Sequence, residues 1–246
     1  MPLRICFATA EMAPFAKVGG LGDVSGALAK YLHAAGHDIR LFLPAYASIP
    51  RAGLEAWPVD FLQDVPVRIG THDYRFSIET ARLPGSRAFV YLVHCAELFE
   101  RATIYSSAAD EHRRFLLLTH AMFLACQRMA FAPQILHLND WHTAIGALWL
   151  RSVYAWDALF RQTRSVLTMP SHALMLSVSG KTPHESTALP SVLSGLSTGF
   201  ASSAASPKGA KGKNPSGLLP NGSDTQTGAR ERTASAKMLW ARLGGK

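Results

Sequence analysis

Cysteine is scarce in this chain of 246 residues: there are three, Cys6, Cys95 and Cys126, and no two stand as CxxC. An odd number at such separations excludes a disulfide framework and offers no structural zinc site, which leaves small buried thiols in a reducing, cytoplasmic compartment. Long apolar runs are missing as well. The most apolar stretch, residues 115–126, is broken by Thr119 and His120, so it suits a buried helix and not a membrane span, which needs ~20 residues. Residues 1–10 carry one basic residue and a short apolar run that meets Glu11. That is not the pattern of a secretory leader.

Acidic residues are few: 17 Asp+Glu face 25 Lys+Arg, a formal charge of +8. An excess of this size ordinarily points to nucleic acid or an anionic surface, but its location matters more than its size. Up to Pro170 the balance is 16 basic against 14 acidic residues, and beyond it 9 against 3. The last 76 residues are also poor in large aromatics, with only Phe200 and Trp240, while 34 of them are Ser, Thr, Gly or Pro. The basic excess therefore belongs to a segment too apolar-poor to offset the entropy of ordering, and disorder is the expectation for it. Without interleaved aromatics or a recognition motif, nucleic acid is not expected as a partner, and neither is a membrane.

What is present before that segment alternates. Residues 3–10 (LRICFATA) read as a strand, 11–23 as a Gly-rich loop, and Val24, Ala27, Leu28, Tyr31, Leu32 and Ala35 as one helix face stopped by Gly36. A second strand is predicted at 38–43. Residues 59–62, 65–69, 74–80 and 88–93 read as a β insertion punctuated by Pro and Gly. A long helix follows over 110–130, then a strand at 134–138, a helix over 141–154 and a strand at 164–168. Strands alternating with helices give an α/β fold with a mostly parallel sheet and a mixed β insertion.

Two stretches carry chemistry. The first is Lys17-Val18-Gly19-Gly20-Leu21-Gly22-Asp23 at a strand-to-helix junction, where glycines let backbone N–H groups approach an anion and a helix N-terminus adds partial positive charge. Its spacing is neither GxGxxG nor GxxxxGK[ST], so no general dinucleotide or ATPase motif is supported, and a plain tight turn stays open as an alternative. The second is His137-Leu138-Asn139-Asp140-Trp141-His142-Thr143, where a predicted parallel strand enters a helix. Ligands of open α/β sheets bind outside such strand ends. The two histidines do not have the i, i+4 spacing of a helical metal pair, so no metal is assigned; Asp140 could equally be a helix cap.

Taken together, EMAPFAKVGGLGDV (11–24) and HLNDWHT (137–143) resemble the two N-terminal signatures of bacterial glycogen synthases and plant starch synthases. GHDIR (36–40), LPAY (43–46), LFER (98–101), Ile104-Tyr105 and Arg114-Phe115 follow that family in order, and the likeness covers residues 3 to about 168. The resemblance implies the Rossmann-like N-terminal half of a two-domain GT-B glycosyltransferase. Its reaction would be retaining transfer of glucose from ADP-glucose to the non-reducing end of an α-1,4-glucan, with no cofactor beyond that donor. It further implies that Lys17, Gly19, Gly20 and His142 bind substrate, that Asp140 lies by the reacting sugar, and that Glu11 and Asp23 support the same cleft.

After RSVLT (164–168) the family pattern gives way to Met169-Pro170-Ser171-His172, and no family role passes to His172. The expectation is an incomplete domain over 1–168 and a basic, truncated or frame-shifted tail over 169–246, inactive without the missing half. Two other readings stay open at this stage: a non-catalytic nucleotide- or glucan-binding module, and a basic tail that tethers nucleic acid or an acidic partner.

Overall fold

The structure, a computed structural model, describes residues 1–169; the tail expected over 169–246 lies, but for Met169, outside the described residues. The chain runs β1 (Arg4–Ala8), α1 (Gly20–Ala34), β2 (Asp38–Pro44), β3 (Ala56–Pro58), β4 (Val65–Ile69), β5 (His72–Arg82), β6 (Phe89–His94), α2 (Ala96–Phe99), α3 (Glu111–Arg128), β7 (Ile135–Asn139), α4 (Asp140–Arg151) and β8 (Arg164–Thr168). The sheet order is β3-β5-β6-β2-β1-β7-β8, with β4 paired to β5. β6, β2, β1, β7 and β8 run parallel, while β3, β4 and β5 are antiparallel additions.

Counted along the parallel strands alone, this is the order 3-2-1-4-5 of a doubly wound sheet. The direction of winding reverses between β1 and β7, which pair through Ile5 with Ile135 to Ala8 with Leu138. Right-handed crossovers put α1 on one face and α3 and α4 on the other; α3 and α4 pack on each other and on the β1, β2 and β7 side of the sheet. Strands covered on both faces read as unbroken apolar runs, and Ile5, Cys6, Phe7, Leu41, Phe42 and Leu43 are fully buried. All three cysteines are free and buried, with the Cys6 and Cys126 sulfurs 3.7 Å apart.

Two elements differ from the sequence expectation. The strand predicted at 59–62 is a 3₁₀ turn over Asp60–Leu62, and the pairing strand lies earlier, at Ala56–Pro58. Alternation of Val59 and Phe61 suggested extension, but the Leu62 amide donates back to the Val59 carbonyl at 2.8 Å and closes the turn. The second difference is in α1, which starts at Gly20, so two glycines expected in the loop lie inside the helix. Close packing explains Gly22, and also Gly26 one turn further on. A Cβ at Gly26 would stand 2.6 Å from the Ala13 carbonyl oxygen, and one at Gly22 would meet Lys17 Cβ at 3.1 Å. The Ala13 amide donates to the Gly22 carbonyl at 2.9 Å, which presses the turn before the helix onto its first two turns.

Two predictions follow from this packing and burial. Gly26→Ala should destabilise the chain by about 1–3 kcal/mol in urea denaturation, because backbone must move to admit the methyl. Gly19→Ala, with open space around its Cβ and φ of −135°, should lie within about 0.5 kcal/mol of wild type. The other concerns acid. Burial pushes the His137 imidazole from 6.5 down to about 3; burial, and then the Arg114 charge, do the same to His142. The unfolded chain binds these protons first, so stability is fully present above about pH 6.5 and falls toward pH 3, by up to about 1.4 kcal/mol per pH unit for each histidine. A urea midpoint that falls between pH 7 and 5 by the same amount in His137→Gln as in wild type would remove His137 as a contributor.

Candidate functional site

The two sequence motifs flank the point where the winding of the sheet reverses. Behind β1, the side chain of Thr9 bonds the Glu11 carbonyl at 2.8 Å and Ser25 of α1 at 3.0 Å, which turns the chain away from the sheet. At the end of β7, the side-chain Nδ2 of Asn139 donates to the Ala8 carbonyl at 2.9 Å and ties the ends of the two strands together. Helix α4 then begins at Asp140.

Glu11 is 3% exposed and its carboxylate is fully engaged. Oε2 accepts the Val18 amide at 2.7 Å and the Gly19 amide at 2.9 Å, and Oε1 accepts the Tyr105 hydroxyl at 2.6 Å. The amide of Gly19 is thus turned toward protein. Gly20, the first residue of α1, has no intrahelical acceptor for its N–H, nor has Leu21. Lys17 Nζ lies 2.9 Å from Asp23 Oδ1, with half of the lysine side chain in solvent. Lys17, Gly20 and Asp23 therefore stand together at the start of α1, and Glu11 braces the turn before it.

Asp140 is fully buried and has φ of +62°, a left-handed conformation that costs a non-glycine residue about 1–2 kcal/mol. Its Oδ1 accepts the Trp141 amide at 2.8 Å, but the cap position of α4 is Asn139 and no side-chain bond caps the helix, so Asp140 is the first residue of the helix and not its cap. His142 is 2% exposed and lies among aromatic rings: Trp141 at 4.0 Å, Phe115 at 4.5 Å and Tyr105 at 5.0 Å between centroids. Neither of its ring nitrogens has a hydrogen-bond partner among the described residues. Kept neutral by burial, it holds one donor and one acceptor that nothing in the described fold uses.

Tyr105 joins the halves of the site, with its hydroxyl on Glu11 and its ring stacked on His142. Leu21 of the first motif and Trp141 of the second pack on the same small cluster, around Ala10 and Phe115. Tyr105 thus touches one residue of each motif, Glu11 and His142. A cavity of about 600 Å³ opens beside it, lined by Phe15, Lys17, Val18, Ser48, Ile104 and Tyr105 among others. The sequence reading noted Tyr105 and Arg114 only as family-like residues and gave them no role. Arg114 is fully buried and donates to the carbonyls of Leu98 and Ile104 at 2.8 and 2.7 Å, which fixes the loop that presents Tyr105. A charged residue on the apolar stripe of a long helix was the available signal. Among the described residues no cluster of three or more His, Cys, Asp or Glu could hold a metal ion, and no helix is long and apolar enough to cross a membrane.

Comparison with known proteins now bears on this geometry. The family model described as the starch synthase catalytic domain matches residues 4–196, a stretch that runs past Thr168 into residues the structure does not describe. Glycogen synthase of Aeromonas salmonicida is 36% identical over 181 residues, covering 70% of this chain and 35% of the relative. Glycogen synthase 1 of Geobacter sulfurreducens is 38% identical over 173 residues, covering 68% and 34%. The catalytic domain of starch synthase IV from Arabidopsis thaliana, solved bound to ADP and acarbose, superposes with a TM-score of 0.62 at 28% identity, covering 69% of this chain and 34% of that one. The chain spans about a third of the length of the curated relatives it matches. Sequence signatures, the reversal point they flank and a family match over most of the length agree, and the chain belongs to the glycogen synthase and starch synthase family of glycosyltransferases.

Proposed function

We propose that this chain supplies one wall of a glucosyl-transfer site in glycogen biosynthesis. The reaction is transfer of glucose from ADP-glucose to the non-reducing end of an α-1,4-glucan, with retention at the anomeric carbon. The observation that carries the reading is Tyr105, which links the glycine loop, through Glu11, to His142 and the Asp140 turn. Nucleotide-facing and sugar-facing groups so share one mouth of the sheet, at the place where doubly wound folds bind ligands. The relative solved with ADP and acarbose adds support.

The roles follow from charge. As the bond between the anomeric carbon and the phosphate oxygen breaks, negative charge gathers on the departing ADP. The Lys17 ammonium and the first amides of α1 stabilise it without reorganising. Asp23 holds Lys17 in place until the phosphates arrive. Asp140 stands by the reacting sugar, and the neutral His142 offers a donor and an acceptor to a sugar hydroxyl. Glu11 acts from behind the loop and not on the substrate, because all its described bonds go to the protein. Alignment of donor and acceptor needs both walls of a cleft, so a second wall must come from outside the described residues.

Titration of ADP into the 246-residue chain and its Lys17→Ala variant tests the donor side. The expected outcome is a Kd about tenfold weaker in the variant, roughly the 1.4 kcal/mol of one charge-assisted contact, and equal affinities would remove Lys17 from the site. Labelled glucose should not pass from ADP-glucose into glycogen with this chain alone. Turnover would show that no second wall is required.

A further inference from the structure

We infer that Tyr105 is a positioning residue for the glycine loop, acting through Glu11; the inference rests on the reading of that loop as the nucleotide site. The N–H groups that Glu11 accepts belong to the Lys17–Val18 and Val18–Gly19 peptides. Clamping the first sets the backbone from which the Lys17 ammonium extends, and clamping the second sets the entry into α1 and so the direction of its first free amides. Both anion-facing elements therefore take their orientation from one carboxylate.

That carboxylate is itself oriented by Tyr105. Two amides on Oε2 leave the group free to swing about its last torsion; the 2.6 Å bond from the Tyr105 hydroxyl to Oε1 fixes the plane. Tyr105 is 94 residues away in sequence and is held from the other side of the site. Arg114 bonds the Ile104 carbonyl at 2.7 Å, and Thr103 Oγ1 donates to the Tyr105 carbonyl at 2.7 Å. Arg101 grips Asp110 with two bonds of 3.0 and 2.6 Å, closing the base of the loop. A rigid loop thus passes its position to a glycine-rich one that has little stiffness of its own.

The experiment compares wild type, Tyr105→Phe, Glu11→Gln and Glu11→Ala in the full chain, by ADP titration and by hydrogen exchange at single amides. Tyr105→Phe keeps the ring on His142 and removes only the donor to a charged acceptor, so ADP affinity should fall about tenfold and exchange at Val18 and Gly19 should quicken about tenfold. Exchange at Ile5, Leu41 and Val90, in the central strands, should quicken by no more than the loss of overall stability read in urea denaturation. Glu11→Gln can keep the shape, its carbonyl accepting both amides and its NH₂ donating to the Tyr105 oxygen; it should protect Val18 and Gly19 as wild type does, whereas Glu11→Ala should not. Unchanged exchange at Val18 and Gly19 in Tyr105→Phe overturns the inference, and so does an ADP affinity equal to that of wild type. A wild-type chain that fails to bind ADP overturns the nucleotide reading instead, and the exchange data still decide the clamp.

Discussion

A carboxylate withdrawn from water needs donors that replace its hydration, and in this chain the requirement organises everything around it. Glu11 finds two donors in the turn that leads into α1 and one in a tyrosine from a distant loop. Removing any one would leave a charged acceptor short of partners in a place water does not reach, at a cost of about 1–3 kcal/mol or more. The loop, the helix start and the segment before α3 are therefore settled together. The glycines at 22 and 26 complete the arrangement from the other side, since they let the turn lie directly on the helix.

The topology explains why this carboxylate stands where it does. Reversal of winding between β1 and β7 sends the following chain to opposite faces, leaving a crevice above the carboxyl ends of both strands. Residues that leave β1 and residues that leave β7 are then neighbours, although about 130 positions separate Ala8 from Asn139 in the sequence. The aromatic cluster of Tyr105, Phe115, Trp141 and His142 fills the space between them. Apolar filling lowers the local dielectric, which keeps His142 neutral and strengthens each remaining polar contact.

The parallel framework was legible because short strand-forming stretches such as 38–43 and 164–168 alternate with helices, and because helices 20–34 and 111–128 keep a clear three- and four-residue period. Residues 59–62 misled for the opposite reason: four residues carry too little periodicity to separate a strand from a 3₁₀ turn, and the Val59 carbonyl found its donor locally. The two motifs of the candidate site could be read as chemistry at strand ends, and their sharing of one cleft followed only from the family resemblance; the link between them could not be read, since it is a tyrosine 94 residues from one of them. Gly22 reads as loop because it stands in a glycine cluster between strand and helix, while here the absent Cβ leaves room for the Lys17 side chain and the Ala16 carbonyl.

The left-handed backbone at Asp140 has an implication for how the chain would evolve under heat alone. Asparagine adopts that conformation at least as readily as aspartate, and its side-chain oxygen can accept the Trp141 amide in the same way. It would do both without placing an anion in a fully enclosed position. A library screened for nothing but thermal resistance should therefore drift toward asparagine at 140. An aspartate retained there would answer to the proposed chemistry at the strand end and not to the conformation of the backbone.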